Sequence, residues 1–342
     1  MAAQLERAMK AGVIGLGYWG PNLVRNLLST PGIEGVVVCD RDAGQLEKIR
    51  QKFPMVETVE HIDQLLGRDD VTAVAVSTPI STHHPIGMQV LGAGKHLLLE
   101  KPMAASTQEC DELIALAEKK NLRLMVDHTF IYNGAVRKVK ELIDRGEIGE
   151  ILYFDSVRVN LGLFQHDSNV VWDLAPHDIS IMDWFIGDSP IAVSATGSCH
   201  FNNYEDIAYL TVHFPGSVMA HFHVNWISPV KVRQILLGGT RHMVVYDDME
   251  PSEKVKVYDK GVEVTGKEQV WETLVQYRTG DMCAPKIDQT EALSRMMREF
   301  VVSIREGRAP LTDGHAGRTV VAVLEAADRS LKNQGARIEI AR

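Results

Sequence analysis

The hexamer Gly15-Leu16-Gly17-Tyr18-Trp19-Gly20 constrains the chain most, because it follows a short apolar run at 12–14 and leads straight into apolar residues at helical spacing over 21–28. At such a strand-to-helix junction three glycines have three tasks. Gly15 permits a tight turn, Gly17 lets the backbone approach a pyrophosphate, and Gly20 allows close helix–strand packing. The helix start adds unpaired N–H groups and a partial positive charge, so a phosphate is the expected ligand. A glycine-rich turn without a ligand is the alternative. Tyr18 and Trp19 fall among the expected cofactor contacts by position, as packing aromatics rather than base-stacking platforms.

The hexamer opens a regular rhythm. Apolar, β-branched runs at 12–14, 35–39, 71–77, 95–100 and 123–127 alternate with helically spaced stretches at 21–28, 43–52, 61–66, 85–93 and 107–119. Alternation of this kind implies βαβ units and a doubly wound parallel sheet. One more helix is expected at 137–144, ended by Gly146 and Gly149. The pattern then changes to alternating segments at 151–160, 191–199, 208–214, 218–226, 230–237, 242–247 and 254–258, joined by short gaps. These imply a mostly antiparallel open sheet with helices on one face. Helical periodicity returns at 291–305 and 316–332, and either helix could lean back on the first domain. The expected division is a dinucleotide-binding domain over 1–127 and an α+β substrate and oligomerisation domain over 128–342. A chain of 342 residues, 45% hydrophobic and 24% charged, can bury two such cores.

Charge excludes some partners. The formal net charge is −9 with both signs interspersed, so no basic stripe awaits nucleic acid and a small-molecule partner fits better. Cys39, Cys110, Cys199 and Cys283 are scattered without a CxxC pair, which reads as free thiols in a reducing cytoplasm. The longest apolar runs are strand-length and the first ten residues lack a signal-peptide core, so neither secretion nor a membrane span is expected. His221, His223 and Asn225 alternate along one strand with His213 nearby; this reads as a polar sheet surface, with metal binding as the lesser alternative.

Chemistry is expected at a few positions. Asp40, at the end of the second strand and about twenty residues past Gly20, can accept hydrogen bonds from ribose hydroxyls and repel a 2′-phosphate, which favours NAD. Arg41 beside it leaves NADP open, and a cap on the following turn is the plainer role for Asp40. Glu100-Lys101-Pro102 lies just past a strand's carboxyl end, where open parallel sheets place ligands, and Pro102 keeps Lys101 out of helical geometry. Asp173 and His177 are four apart at an expected helix start, with Pro176 in its first turn. There the helix dipole would keep His177 neutral and able to accept a proton; otherwise Asp173 is an N-cap and His177 a surface histidine. Tyr132, Asn133, Arg158 and Asn160 could hold a substrate hydroxyl or phosphate, although strand polarity also explains Arg158 and Asn160.

Together with Thr78-Pro79…His83, AGKHLLLEKPMA (93–104), KELIDRGEIGEI (140–151) and IREGRAPLTDG (304–314), these motifs make the chain resemble the Gfo/Idh/MocA oxidoreductase family over essentially its whole length. The resemblance implies that Thr78, Pro79, His83, Glu100 and Lys101 lie along the cofactor, with a structural loop role open for His83. It implies that Lys101 and His177 face a reacting hydroxyl assisted by Asp173, that the Lys101-Pro102 bond is cis, and that the open sheet face joins subunits into a homodimer or homotetramer. SNVVWDLAPHD stands where the family usually has a Gly-Gly run, a departure that bears on the shape of the substrate pocket. HTFIYNGAVRKVKELI and WDLAPHDISIMDWF look most like the branch that oxidises the 3-hydroxyl of nucleotide-linked sugars, with free polyols and monosaccharides as the other substrate class. A sensor without catalysis, or a keto-sugar or imine reductase, are the remaining readings.

Overall fold

The computed structural model describes residues 9–162, 164, 168–264 and 275–340. The amino-terminal residues that bear on a signal peptide therefore lie outside the described part. From Met9 the chain runs β1 (Met9–Ile14), α1 (Gly20–Leu28), β2 (Ile33–Cys39), α2 (Ala43–Lys52), β3 (Glu57–Val59), α3 (Ile62–Leu66), β4 (Val71–Val76), α4 (His83–Gly92), β5 (His96–Leu99), α5 (Thr107–Lys119) and β6 (Leu124–Val126). The six strands form one parallel sheet in the order β3-β2-β1-β4-β5-β6. Val13, Val37, Val74 and Leu97 are all fully buried, as expected where helices cover both faces and the strands read as continuous apolar runs. The order reverses between β1 and β4, which opens a crevice at their carboxyl ends. β3 escaped the sequence reading because three residues, Glu-Thr-Val, are too short to show a period.

The chain continues through α6 (Gly134–Asp144), β7 (Ile151–Leu161), α7 (Val170–Ile186), β8 (Ala192–Ser198), β9 (Ile207–His213), β10 (Met219–Asn225), β11 (Ile227–Gly239), β12 (Met243–Asp247), β13 (Val255–Val264), β14 (Val275–Cys283), α8 (Ala292–Glu306), α9 (Gly314–Lys332) and β15 (Ile338–Glu339). It divides into two compact units, Met1–Tyr132 with Thr290–Ala322, and Asn133–Gln289 with Val323–Arg342.

In the first unit α8 buries Leu293, Met296, Met297, Phe300 and Val301, and Glu291 at its start accepts Arg25 of α1 at 3.0 Å. Beyond α8, Thr312 closes the free edge of β6: its carbonyl accepts Val126 N–H at 2.8 Å and its hydroxyl donates to the Val126 carbonyl at 2.7 Å.

In the second unit the described strands follow the order β14-β13-β12-β11-β7-β10-β9-β8-β15, antiparallel apart from the β7–β10 pair. One face is covered. Phe154, Leu210, Val212, Phe222 and Val224 point inward beneath α7, with the Phe154 and Phe185 rings edge to face at 6.4 Å. On the other face Tyr209 stacks on His223 at 4.5 Å and lies 6.4 Å from His221, while His213 pairs with Met219. Among the described residues no group of three His, Cys, Asp or Glu could hold a metal, and no helix is long and apolar enough to cross a membrane.

Candidate active site

In the first unit the glycine loop turns at Gly15, whose φ of +93° suits glycine, and a side chain there would run into the Ser77 carbonyl. A side chain on Gly20 would strike the Gly15 carbonyl, so this glycine serves packing. Gly17 differs, since a Cβ built there meets nothing within 4 Å and its bareness leaves the loop open to a ligand. The loop borders a cleft of about 460 Å³ lined by Gly15, Gly17, Asp40, Arg41, Thr78 and Pro79, among others. Asp40 holds the loop from behind: Oδ2 accepts Leu16 N–H at 2.7 Å and Oδ1 accepts Asp42 N–H at 2.9 Å. Each carboxylate oxygen keeps a further lone pair for a ribose hydroxyl. Bare glycine, helix N-terminus and a lining carboxylate are a donor and acceptor set that fits an adenine dinucleotide.

The neighbouring candidates divide. Thr78 and Pro79 line the cleft, and both accept from or share hydrogen bonds with the Thr82 hydroxyl. His83 is 1% exposed and its Nδ1 and Nε2 lie 2.9 and 2.8 Å from the carbonyls of Pro102 and Thr78. Its ring braces two loops, and burial lowers its proton affinity. Lys101, half-buried, precedes the cis bond to Pro102. Trp19 donates its indole N–H to Asp127 at 3.1 Å, whereas Tyr18 is 92% exposed. Glu100 accepts Lys101 N–H at 3.2 Å, and burial together with Asp127 raises its carboxyl well above the usual range. Tyr132 is 2% exposed with its hydroxyl 3.2 Å from that of Thr312, so it fills the core where a substrate contact was expected. Asn133 is the N-cap of α6, its side-chain oxygen accepting Ala135 N–H at 2.8 Å.

In the second unit α7 starts earlier than its sequence suggested. Asn169 is the N-cap, accepting Val171 and Trp172 N–H at 3.1 and 3.2 Å while its amide donates to Glu205 and Asp328. Asp173 is thus the fourth helical residue and no cap, Pro176 lies in the helix interior, and His177 is the eighth residue. The dipole fades within the first turn, so it is no basis for a neutral His177. Asp173 and His177 do share a helix face one turn apart. Asp173 Oδ2 accepts the indole N–H of Trp226 at 3.0 Å. The residue after His177, Asp178, takes Arg158 in a two-pronged pair at 2.9 and 2.6 Å and the Ser156 hydroxyl at 2.7 Å. Arg158 is 3% exposed on the covered face of β7, a structural ion pair in place of the expected substrate contact. Asn160, two residues on, is half-buried. Sequence reasoning missed Asp127, Asp178 and the anchoring role of Trp226, because nothing local marks a residue whose partner is distant in the chain.

Comparison with known proteins gives the family of both units. Residues 9–128 match the oxidoreductase family with an NAD-binding Rossmann fold, and residues 136–245 match the C-terminal domain of the same family. Inositol 2-dehydrogenase of Salmonella typhimurium is 29% identical over 187 residues, 53% of this chain and 55% of that one. UDP-N-acetylglucosamine 3-dehydrogenase of Acidithiobacillus ferrooxidans is 25% identical over 318 residues, 92% of this chain and 94% of that one. The solved structure of GenD2 from gentamicin A biosynthesis, in complex with NAD, shares the fold with a TM-score of 0.82 at 24% identity, covering 98% of this chain and 97% of that one. Across several curated relatives the matched stretch spans little more than half of the relative's own length. A glycine loop built for a pyrophosphate on an NAD-binding domain, followed by the companion α+β domain, places the chain in the Gfo/Idh/MocA oxidoreductase family.

Proposed function

We propose that the protein is an NAD-dependent dehydrogenase acting on a CH–OH group of a sugar-type substrate, with Lys101, Asp173 and His177 as its reacting side chains. The observation that carries this is the cleft of the first unit, where Gly17 leaves open space and Asp40 presents its carboxylate. Gly15, Gly17, Gly20, Asp40, Thr78 and Pro79 would hold the dinucleotide, which when bound supplies a ring that accepts or returns hydride. The role proposed for His177 is general base for the hydroxyl proton, and that for the Lys101 ammonium is hydrogen bonding to an oxygen on which charge builds. The two roles exchange if Lys101 is the base. Asp173, secured by Trp226, orients its neighbours on α7.

For the substrate we infer a nucleotide-linked sugar oxidised at its 3-hydroxyl. Support comes from the near full-length similarity to a UDP-N-acetylglucosamine 3-dehydrogenase. The open face of the second sheet, with Tyr209 42% and Met219 48% exposed, suits pairing of two copies.

The test is NADH absorbance during incubation with NAD and a panel of UDP-sugars, inositols and hexoses, and in reverse with keto-sugars. Turnover confined to UDP-sugars is the expected result. Turnover only with free polyols overturns the substrate reading, and ligand-induced thermal shifts without turnover overturn the enzyme reading in favour of a sensor.

A further inference from the structure

Two carboxyl groups meet at the carboxyl ends of β5 and β6, and the proposed reaction uses neither. Asp127 is 3% exposed and takes three donors, which leaves room for one more: Oδ2 accepts Trp19 Nε1–H at 3.1 Å, and Oδ1 accepts the N–H of Thr129 at 3.1 Å and its hydroxyl. Three donors converge on it, so it stands as the hydrogen-bond acceptor of the pair. Glu100 is placed differently. Its Oε2 accepts Lys101 N–H and its Oε1 is buried without a donor, while the pairing of Leu99 with Val126 and the bond from Asp127 N–H to the Leu99 carbonyl at 2.7 Å set Asp127 at the adjoining strand end. Two buried carboxylates in contact repel, and an oxygen without a donor bears the full cost of desolvation. A proton on Oε1 removes both penalties, because the acid then donates to Asp127.

We propose that Glu100 carries a proton which it donates to the Asp127 carboxylate, and that this acid pair is a positioning device linking the phosphate loop, through Trp19, to the peptide that bears Lys101. Burial and the Asp127 charge, which raise the Glu100 carboxyl, act in the same direction. The titratable groups around the pair are Lys101, His128 and Tyr132. His128 is pushed down to about 3 by burial and by the Lys101 charge, and burial pushes Tyr132 up, so neither contributes charge at neutral pH. The site thus sets one negative charge near Lys101 where two carboxyls stand. Trp19 lies between Tyr18 and Gly20, so a shift of the loop breaks its bond to Asp127.

Only the role given to Lys101 rests on the dehydrogenase reading, and the readouts are chosen accordingly. The infrared spectrum of the ligand-free protein at pH 8 shows the carbonyl band of a buried carboxylic acid, and Glu100→Gln loses it; absence of the band in the unmodified protein overturns the shared proton. Titration with NADH, followed by its fluorescence, gives a Kd raised about ten-fold in Trp19→Phe and in Asp127→Asn. Two variants that bind NADH as tightly as the unmodified protein overturn the link to the phosphate loop, as does an unmodified protein that binds no NADH. Lack of turnover with every sugar changes neither readout and counts against the dehydrogenase reading alone.

Discussion

Trp226 and Asp173, 53 residues apart, are joined by an indole N–H donated to a carboxylate oxygen at 3.0 Å, which ties the middle of the second sheet to the first turns of α7. Trp226 is 1% exposed and packs on Phe164 at 5.6 Å, so its orientation is fixed from two sides. Trp226→Phe keeps an aromatic ring and removes the donor. A hydrogen bond to a charged group contributes about 1.5–3 kcal/mol, and the variant is expected to lose that much unfolding free energy in urea. An unchanged midpoint would show that Asp173 needs no such anchor.

Gly17 and Gly20 are expected to fail in opposite ways. An alanine at Gly17 meets nothing in the protein, so Gly17→Ala retains its thermal midpoint while NADH binding weakens about ten-fold or more. Gly20→Ala drives a methyl into the Gly15 carbonyl and lowers the midpoint itself. Calorimetry beside an NADH titration separates the two, and a Gly17→Ala protein that binds normally would remove the pyrophosphate from this loop.

Arg158 and Asp178 form a buried pair, and removing one partner leaves the other charge stranded at a cost of about 3–5 kcal/mol. Arg158→Met is expected to show that loss in denaturant unfolding. The double variant Arg158→Met/Asp178→Leu recovers part of it, since no charge is then buried alone. Equal losses in the single and double variants would contradict the pairing.

Acid should destabilise the first unit through His96. Its Nδ1 accepts Arg123 N–H at 2.9 Å, and burial, followed by the Arg123 charge, pushes its pKa down to about 4 from an ordinary 6.5. Between those values the unfolded chain binds a proton that the folded chain refuses. Stability from this residue is therefore complete above pH 6.5 and declines as pH falls towards 4. His96→Gln, which can still accept the N–H, flattens this part of the profile of midpoint against pH; an unaltered slope would assign the acid sensitivity elsewhere.

The parallel sheet was legible because β1, β2, β4, β5 and β6 each hold a consecutive run of buried apolar residues, such as Val36–Cys39 and Ala73–Val76. β14, with Arg278, Thr279 and Asp281 in its run, has no such pattern, and β15 is two residues long. Among candidate site residues, the glycine loop and Asp40 were readable since their tasks are local. Tyr132, Asn133 and Arg158 show the limit of the sequence: a polar group in it gives no sign of its partners elsewhere in the chain, here Thr312, Ala135 and Asp178. The start of α7 moved for a similar cause, as Asn169 is fixed as the cap by Glu205 and Asp328 far along the sequence.

Thr312 bonds Val126 in both directions, although 186 residues separate them. During synthesis β6 therefore has no partner on its outer side until the chain beyond α8 has left the ribosome. A nascent chain stalled before residue 290 would carry every strand of that sheet and still expose a raw edge, open to pairing with whatever extended segment comes first.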